Sequence, residues 1–294
     1  MSAVAPVLFD APGPRARRRI FALTVVAALL AAGVVALGVR QLAVTGELSW
    51  ALWGPLLDPS NEDFALVWAR LGSGLAVTLQ AASLSMVLAL VLGTVVAMGR
   101  LMAGPVLRVP LVGMVELLRG LPVIVTLLLS SFVPRSLGFP IPDFAALVVG
   151  LVLYNMVIIS EILRAGVRSL PRGQSEAGKA IGLRPGQTML LVQLPQSFRS
   201  MLPSLISQLV VVVKDTALAI FVFVQVTELA RSGQQIRNAL DNPIQTFAVV
   251  AVIYVVLNLL LEKLATLVEA RLSASRSGDD EDAPATPATE GARV

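Results

Sequence analysis

Several stretches of this chain stay apolar for about 20 residues, the length a helix needs to cross a bilayer. One runs from Ile20 to Leu37. Another, "GLAVTLQAASLSMVLALVLG", begins at Gly74. In hydrocarbon no water is available to satisfy backbone N–H and C=O groups, so only helices and closed barrels span it. Barrels are written in segments of about ten residues with alternating hydrophobicity, and that alternation is absent here. The chain therefore reads as an all-α, multi-pass membrane protein. Its 14% charged residues agree, set against about a quarter in soluble domains. It has no Cys and no His, which excludes disulfides, thiolate or imidazole catalysis and the usual zinc and haem ligands; no cofactor is implied.

About six spans are expected. A basic arm over 1–19 ends in "RARRR". The apolar run behind it is longer than a signal-peptide core and has no clear cleavage site, so it reads as a retained first helix with an external loop to residue 66. Further spans are expected over about 73–99, 110–133, 144–163, 203–226 and 245–267, forming a transmembrane domain over 67–271 with a polar loop at 164–196. Residues 272–294 are small, acidic and Pro-containing and read as a disordered tail. With the N-terminus inside, the inner segments hold 16 of the 23 basic residues and the outer ones 5. The positive-inside rule thus places both termini and the polar loop in the cytoplasm. It also accounts for the pI near 10.1 without a nucleic-acid partner; lipid is the surrounding partner.

The polar loop "SLPRGQSEAGKAIGLRPGQTMLLVQLPQ", from Ser169, predicts a short exposed helix. Ser175 or Gly173 can cap it, Glu176 suits its positive N-terminal end, Gly182 is a natural residue just past its C-terminus, and Pro185 stops it. Such an element fits a groove of a partner protein or lies on lipid headgroups.

Its residues also resemble a family. The pattern E-A-A-x3-G-x9-I-x-L-P marks membrane subunits of bacterial ABC importers, and Glu176, Ala177, Gly178, Gly182, Val192, Leu194 and Pro195 stand at its positions. Gly178 replaces the second Ala, and Val192 the Ile. "VELLRGLPVIV", "SEILRAGVRSLPRGQ", "LPQSFRSMLPSLISQLVVVVKDTALA" and "TEL" follow the polar amino acid subfamily in order, over roughly 68–271. The arm and extra first helix resemble actinobacterial glutamate permeases. The resemblance implies an ABC type I importer-like core with an extra N-terminal helix in a bacterial cytoplasmic membrane. It implies a polar amino acid, glutamate, as cargo. The implied partners are an ABC ATPase dimer, a second, paralogous permease and an extracytoplasmic amino acid-binding protein. It makes the loop a coupling helix, with Gln174, Glu176, Ala177, Gly178, Ala180, Gly182 and Leu183 as the ATPase-coupling residues. No G-x-x-x-x-G-K-[ST] occurs, so hydrolysis is expected in a separate chain, and this chain is not an enzyme.

Charges inside spans are rare and face a bundle interior or a wet cavity. Lys214 and Asp215, followed by Thr216, are candidates for the substrate pathway or for a buried structural pair. Asn155 and Gln80 are candidates for substrate contact or interhelical hydrogen bonds. Glu116 and Arg119 lie three apart and can pair on one face. Gly120 and Pro122 interrupt that span as a possible hinge, and Glu161 marks the inner end of its span; these five are gating or structural candidates. Trp50, Trp53 and Trp68 read as interfacial anchors. The segment 227–240 reads as an external helix able to meet a binding protein. A gradient-driven transporter, with Asp215 as ion site, and a non-transporting scaffold are the alternative readings.

Overall fold

The computed structural model describes residues 13–281. Among them the backbone is helical and no strand occurs. The elements are α1 (Pro14–Val44), α2 (Trp50–Leu57), α3 (Phe64–Met102), α4 (Pro105–Arg119), α5 (Val123–Ser136), α6 (Asp143–Ser169), α7 (Arg172–Ala180), α8 (Pro185–Thr188), α9 (Leu194–Asp215), α10 (Ala219–Val222), α11 (Leu229–Leu240) and α12 (Pro243–Glu281). A π-helical turn, Met189–Gln193, joins α8 to α9, and a 3-10 turn, Thr216–Leu218, joins α9 to α10. Pro185–Val222 is therefore one 38-residue helical run. This run, α1, α3, α6 and the Pro243–Leu267 part of α12 are each long and apolar enough to cross a membrane.

The sixth span differs from expectation. In place of one helix over 110–133, α4 and α5 meet at 107°. The cause lies in the local sequence. The Gly120 N–H is shared between the Glu116 and Leu117 carbonyls, and Pro122, which has no N–H, takes an extended conformation (φ −60°, ψ 144°) before α5 begins. The expected external loop is also more ordered: α1 continues to Val44 and α2 lies within it. The basic "RARRR" belongs to α1, and α12 stays helical to Glu281, nine residues past the expected start of the tail at 272. The remainder of the arm and tail, 1–12 and 282–294, lies outside the described residues.

The centre of the fold is the α3–α6 pair. On α3, Ala81, Ser85, Ala89, Gly93 and Ala97 recur every four residues, all buried. A stripe of small residues lets two backbones approach, which is how helices gain packing energy in lipid, where burial of apolar surface supplies no driving force. At Gly93 the approach is closest: a Cβ there would lie 2.8 Å from the Met156 carbonyl oxygen and 2.9 Å from Ile159 Cγ2. Around this pair, Leu127, Leu147, Leu151, Val212 and Phe223 form one apolar cluster, and Val115, Ile159, Leu163 and Leu205 a second. A third, of Leu56, Val67, Leu71, Leu229, Ile236 and Val250, joins α2, α11 and α12 at the opposite end of α3. No residue of α1 is buried.

Candidate coupling and transport site

The polar loop folds into α7, which begins earlier than expected. Pro171, in extended conformation, precedes the helix, so Gly173 and Ser175 lie inside it and cap nothing. Its C-terminus follows the sequence expectation closely. Gly182 takes φ +81°, a left-handed conformation glycine adopts without Cβ strain. Its N–H donates to the Lys179 carbonyl (3.0 Å) and the Leu183 N–H to the Gly178 carbonyl (3.1 Å). That pair of bonds is the Schellman closure. Leu183 is half-buried.

One face of α7 rests on the chain and the other faces out. Gly178 is buried against Thr188 of α8; a Cβ at Gly178 would lie 2.6 Å from Thr188 Cγ2. Gln174 is half-buried, its Oε1 accepting a hydrogen bond from Gln196 Nε2 at 2.9 Å. Glu176, Ala177, Ala180 and Ile181 are exposed, Ile181 at 76%. The result is a short helix, anchored at two points, that presents an acid and a small apolar patch outward.

The pathway candidates separate into two groups. Asn155 is fully buried: its Nδ2 donates to the Leu151 carbonyl (2.8 Å), and its Oδ1 accepts from Gln208 Nε2 of α9 (2.7 Å). Thr216 is buried and donates to the Val213 carbonyl (2.7 Å). Lys214 and Gln80 are exposed in this chain. Asp215 is half-buried, and its Oδ2 has no hydrogen-bond partner among the described residues. Lys214 and Asp215 form no ion pair with each other, as expected for adjacent positions on a helix.

The gating candidates behave differently from one another. Glu116 and Arg119 are exposed and, among the described residues, do not pair; an exposed pair gains little from forming. Glu161 bridges two arginines, Arg100 of α3 and Arg164 one turn further along α6, and so clamps α3 to α6. The Arg100 partnership joins residues 61 positions apart, and nothing in the local pattern announces it.

Glu228 of the "TEL" segment carries more structure than its sequence suggests. It is 0% exposed and caps α11, accepting from the Ala230 N–H (2.6 Å), the Arg231 N–H (2.7 Å) and the Tyr254 hydroxyl (3.2 Å). Burial pushes its carboxyl above the usual range, outweighing the pull of those hydrogen bonds. Leu229 N–H donates to Thr78 Oγ1 (3.1 Å), and Arg231 Nη2 donates to the Ile220 and Phe223 carbonyls, both at 2.8 Å. An acid just ahead of an amphipathic segment was the available signal.

Residues 66–274 match the model of a protein family described as "Binding-protein-dependent transport system inner membrane component". The chain belongs to this family. It is 36% identical over 244 residues to the glutamate transport system permease protein GluD of Corynebacterium glutamicum, covering 81% of this chain and 85% of that one. It is 31% identical to the glutamine transport system permease protein GlnP of Escherichia coli K12, covering 71% and 97%. A crystal structure of an amino acid ABC transporter with histidines matches at TM-score 0.65 and 27% identity, over 71% of this chain and 96% of that one. As a member of this family the chain is a transport component, and its helical core is that of an ABC importer permease.

This transport component carries α1 and α2 ahead of the family-matched region. The segment from Glu47 to Leu57 is fixed to that region as a strap. Gln245 Nε2 donates to the Glu47 carbonyl (2.5 Å) and to Glu47 Oε2 (3.0 Å), Asn242 Nδ2 to the Leu52 carbonyl (3.1 Å), and Trp68 Nε1 to the Leu56 carbonyl (3.0 Å). Asn242 and Gln245 are fully buried. Trp53 Nε1 donates to the Glu47 carbonyl (3.2 Å), so two of the expected interfacial tryptophans also close this strap. The expected external helix at 227–240 is α11, which packs against α3, α12 and the strap.

Proposed function

We propose that the chain is a permease subunit of an ATP-driven importer for a polar amino acid, with glutamate as the cargo that its relative in Corynebacterium glutamicum favours. In this reading α7 docks on a separate ATPase dimer, a second, paralogous permease completes the pathway, and an extracytoplasmic binding protein delivers the amino acid beside α11. Both termini lie in the cytoplasm of a bacterial cell, as the distribution of basic residues favours.

The observation that carries the reading is α7 itself. It is a nine-residue helix between two spans, closed by Gly182, resting on Thr188 and Gln196, with Glu176, Ala177, Ala180 and Ile181 turned outward. A helix held on one face and bare on the other is a docking element. Lys214, exposed in the single chain, and Asp215, with a free carboxylate oxygen, are the groups left to meet the charged ends of an amino acid where two permeases face each other. Asn155, engaged on both its amide atoms, holds α6 to α9 instead.

Glu176→Lys tests the docking role. The tagged variant is expected to reach the membrane, to lose the co-purifying ATPase and to abolish uptake. Retention of the ATPase with normal uptake would refute it. Stimulation of ATP hydrolysis by binding protein loaded with glutamate, arginine or histidine then reads the cargo.

A further inference from the structure

Resting on the docking role of α7, we propose that the Gln174–Gln196 hydrogen bond is the link that makes α7 and α9 move as one body. The covalent routes out of α7 are both poorly suited to carry a displacement. Toward α6 it leaves through Leu170 and Pro171, two extended residues that cap the helices on either side and break the ladder between them. Toward α9 it leaves through the Gly182 turn and α8, and then meets the π-helical turn Met189–Gln193. A π turn is a wide, irregular interruption of the i→i−4 ladder, and such turns concentrate at functional sites. A push entering through α8 can be absorbed there.

Gln196 lies beyond that turn, on the first turn of α9. Its Nε2 reaches back across 22 positions to Gln174 Oε1 at 2.9 Å, and both side chains are partly buried. The bond bypasses the compliant joint. From Gln196 α9 runs past Pro203, where one ladder bond is missing, to Gln208, whose Nε2 is bonded to Asn155 of α6 (2.7 Å), and on to Lys214 and Asp215. At 1.5 Å per residue the distance from Gln196 to Asp215 is about 28 Å, close to the thickness of the hydrocarbon core. One helix therefore carries the α7 anchor at one end and Lys214 and Asp215 at the other. Gln174 is thus a positioning residue that faces the chain's own span, and not a residue of the docking surface.

The test uses the whole transporter, reconstituted in proteoliposomes with its ATPase, second permease and binding protein, and reads amino acid taken up per ATP hydrolysed. Gln196→Met keeps the length of the side chain and removes both amide groups, so Gln174 loses its partner. It is expected to keep the ATPase bound and hydrolysing while uptake per ATP falls about fivefold, the worth of one hydrogen bond. The pair Gln174→Lys with Gln196→Glu replaces the bond by an ion pair and is expected to restore the ratio, which a variant that merely misfolds would not do. An unchanged ratio in Gln196→Met, a loss of bound ATPase in that variant, or a Gln174→Lys with Gln196→Glu pair that stays uncoupled would each overturn the link. If Glu176→Lys still abolishes ATPase binding in the same preparation, the docking role survives that failure; if it does not, the docking role has failed on its own account.

Discussion

Replacing Gly178 by Ala, the residue that the ABC importer motif carries there, is expected to damage this chain. The Cβ added at Gly178 would lie 2.6 Å from Thr188 Cγ2 and 2.8 Å from Thr188 Oγ1. Carbon atoms pack best at about 3.5–4.0 Å, so one side must retreat by about 1 Å. Thr188 has little room for it. Its side chain is β-branched and rotamer-restricted within a helix, it is 2% exposed, and its hydroxyl donates to the Arg184 carbonyl at 3.2 Å. Overpacking of this kind costs about 1–3 kcal/mol, while the gain in helix propensity from Gly to Ala is about 1 kcal/mol. The balance is a loss of about 1 kcal/mol, or a shift of α7 that weakens the Gln174–Gln196 bond beside it. Thr188→Ala removes both offending atoms and leaves a Cβ at 3.2 Å, which a shift of a few tenths of an ångström relieves. The double variant should therefore match or exceed the native chain, and the two effects should be strongly non-additive. Thermal unfolding in detergent and uptake by the assembled transporter measure both quantities. A Gly178→Ala chain as stable and active as the native one, or a double variant no better than the single, would refute the packing argument.

Three further outcomes follow from the same geometry. Gly93→Ala should be harsher than Gly178→Ala, about 3 kcal/mol, because the atom met at 2.8 Å is a backbone carbonyl oxygen that no rotamer change can move; a drop in unfolding midpoint and in membrane yield checks it. Gln245→Ala should free the strap at the cost of one or two hydrogen bonds, about 1–3 kcal/mol, read as faster proteolysis near Glu47 with the α3–α6 core intact. Burial raises the Glu228 carboxyl above its usual range, so the folded chain holds that proton more tightly than the unfolded one. Its contribution to stability is therefore full at acid pH and is lost as pH rises from the ordinary carboxylate range through the raised value. Relative to Glu228→Gln, which has no such titration, the native chain should lose stability across that window; parallel slopes for the two in thermal unfolding would refute it.

What the sequence shows and what it hides divides along physical lines. Apolar runs of about 20 residues mark spans in lipid, so the long helices are legible as elements, but not their ends: α3 begins at Phe64 where 73 is expected, and the Pro185–Val222 run begins 18 residues before 203 and stops short of 226. Gly182 is legible because only a residue free of Cβ strain closes a helix at φ +81°. The break at Gly120–Pro122 is legible as an interruption, but its 107° angle is not, because α5 takes its direction from the Leu127 cluster it packs into. The four-residue recurrence of Ala81, Ser85, Ala89, Gly93 and Ala97 is present in the sequence and names the buried face of α3, yet it hides inside a run that is apolar on every side. Polar groups are the hardest to place. Glu161, Asn155 and Gln174 read alike as polar positions near or within spans, and the partner that decides each one lies 61, 53 or 22 positions away. In a membrane protein this matters more than in a soluble one. A buried polar side chain there has no water to turn to, so the partner it finds decides which helices it holds together. Asn155 and Thr216 are engaged within the chain, whereas Lys214 is exposed and Asp215 Oδ2 has no hydrogen-bond partner among the described residues; these two are the charged groups proposed above to meet cargo.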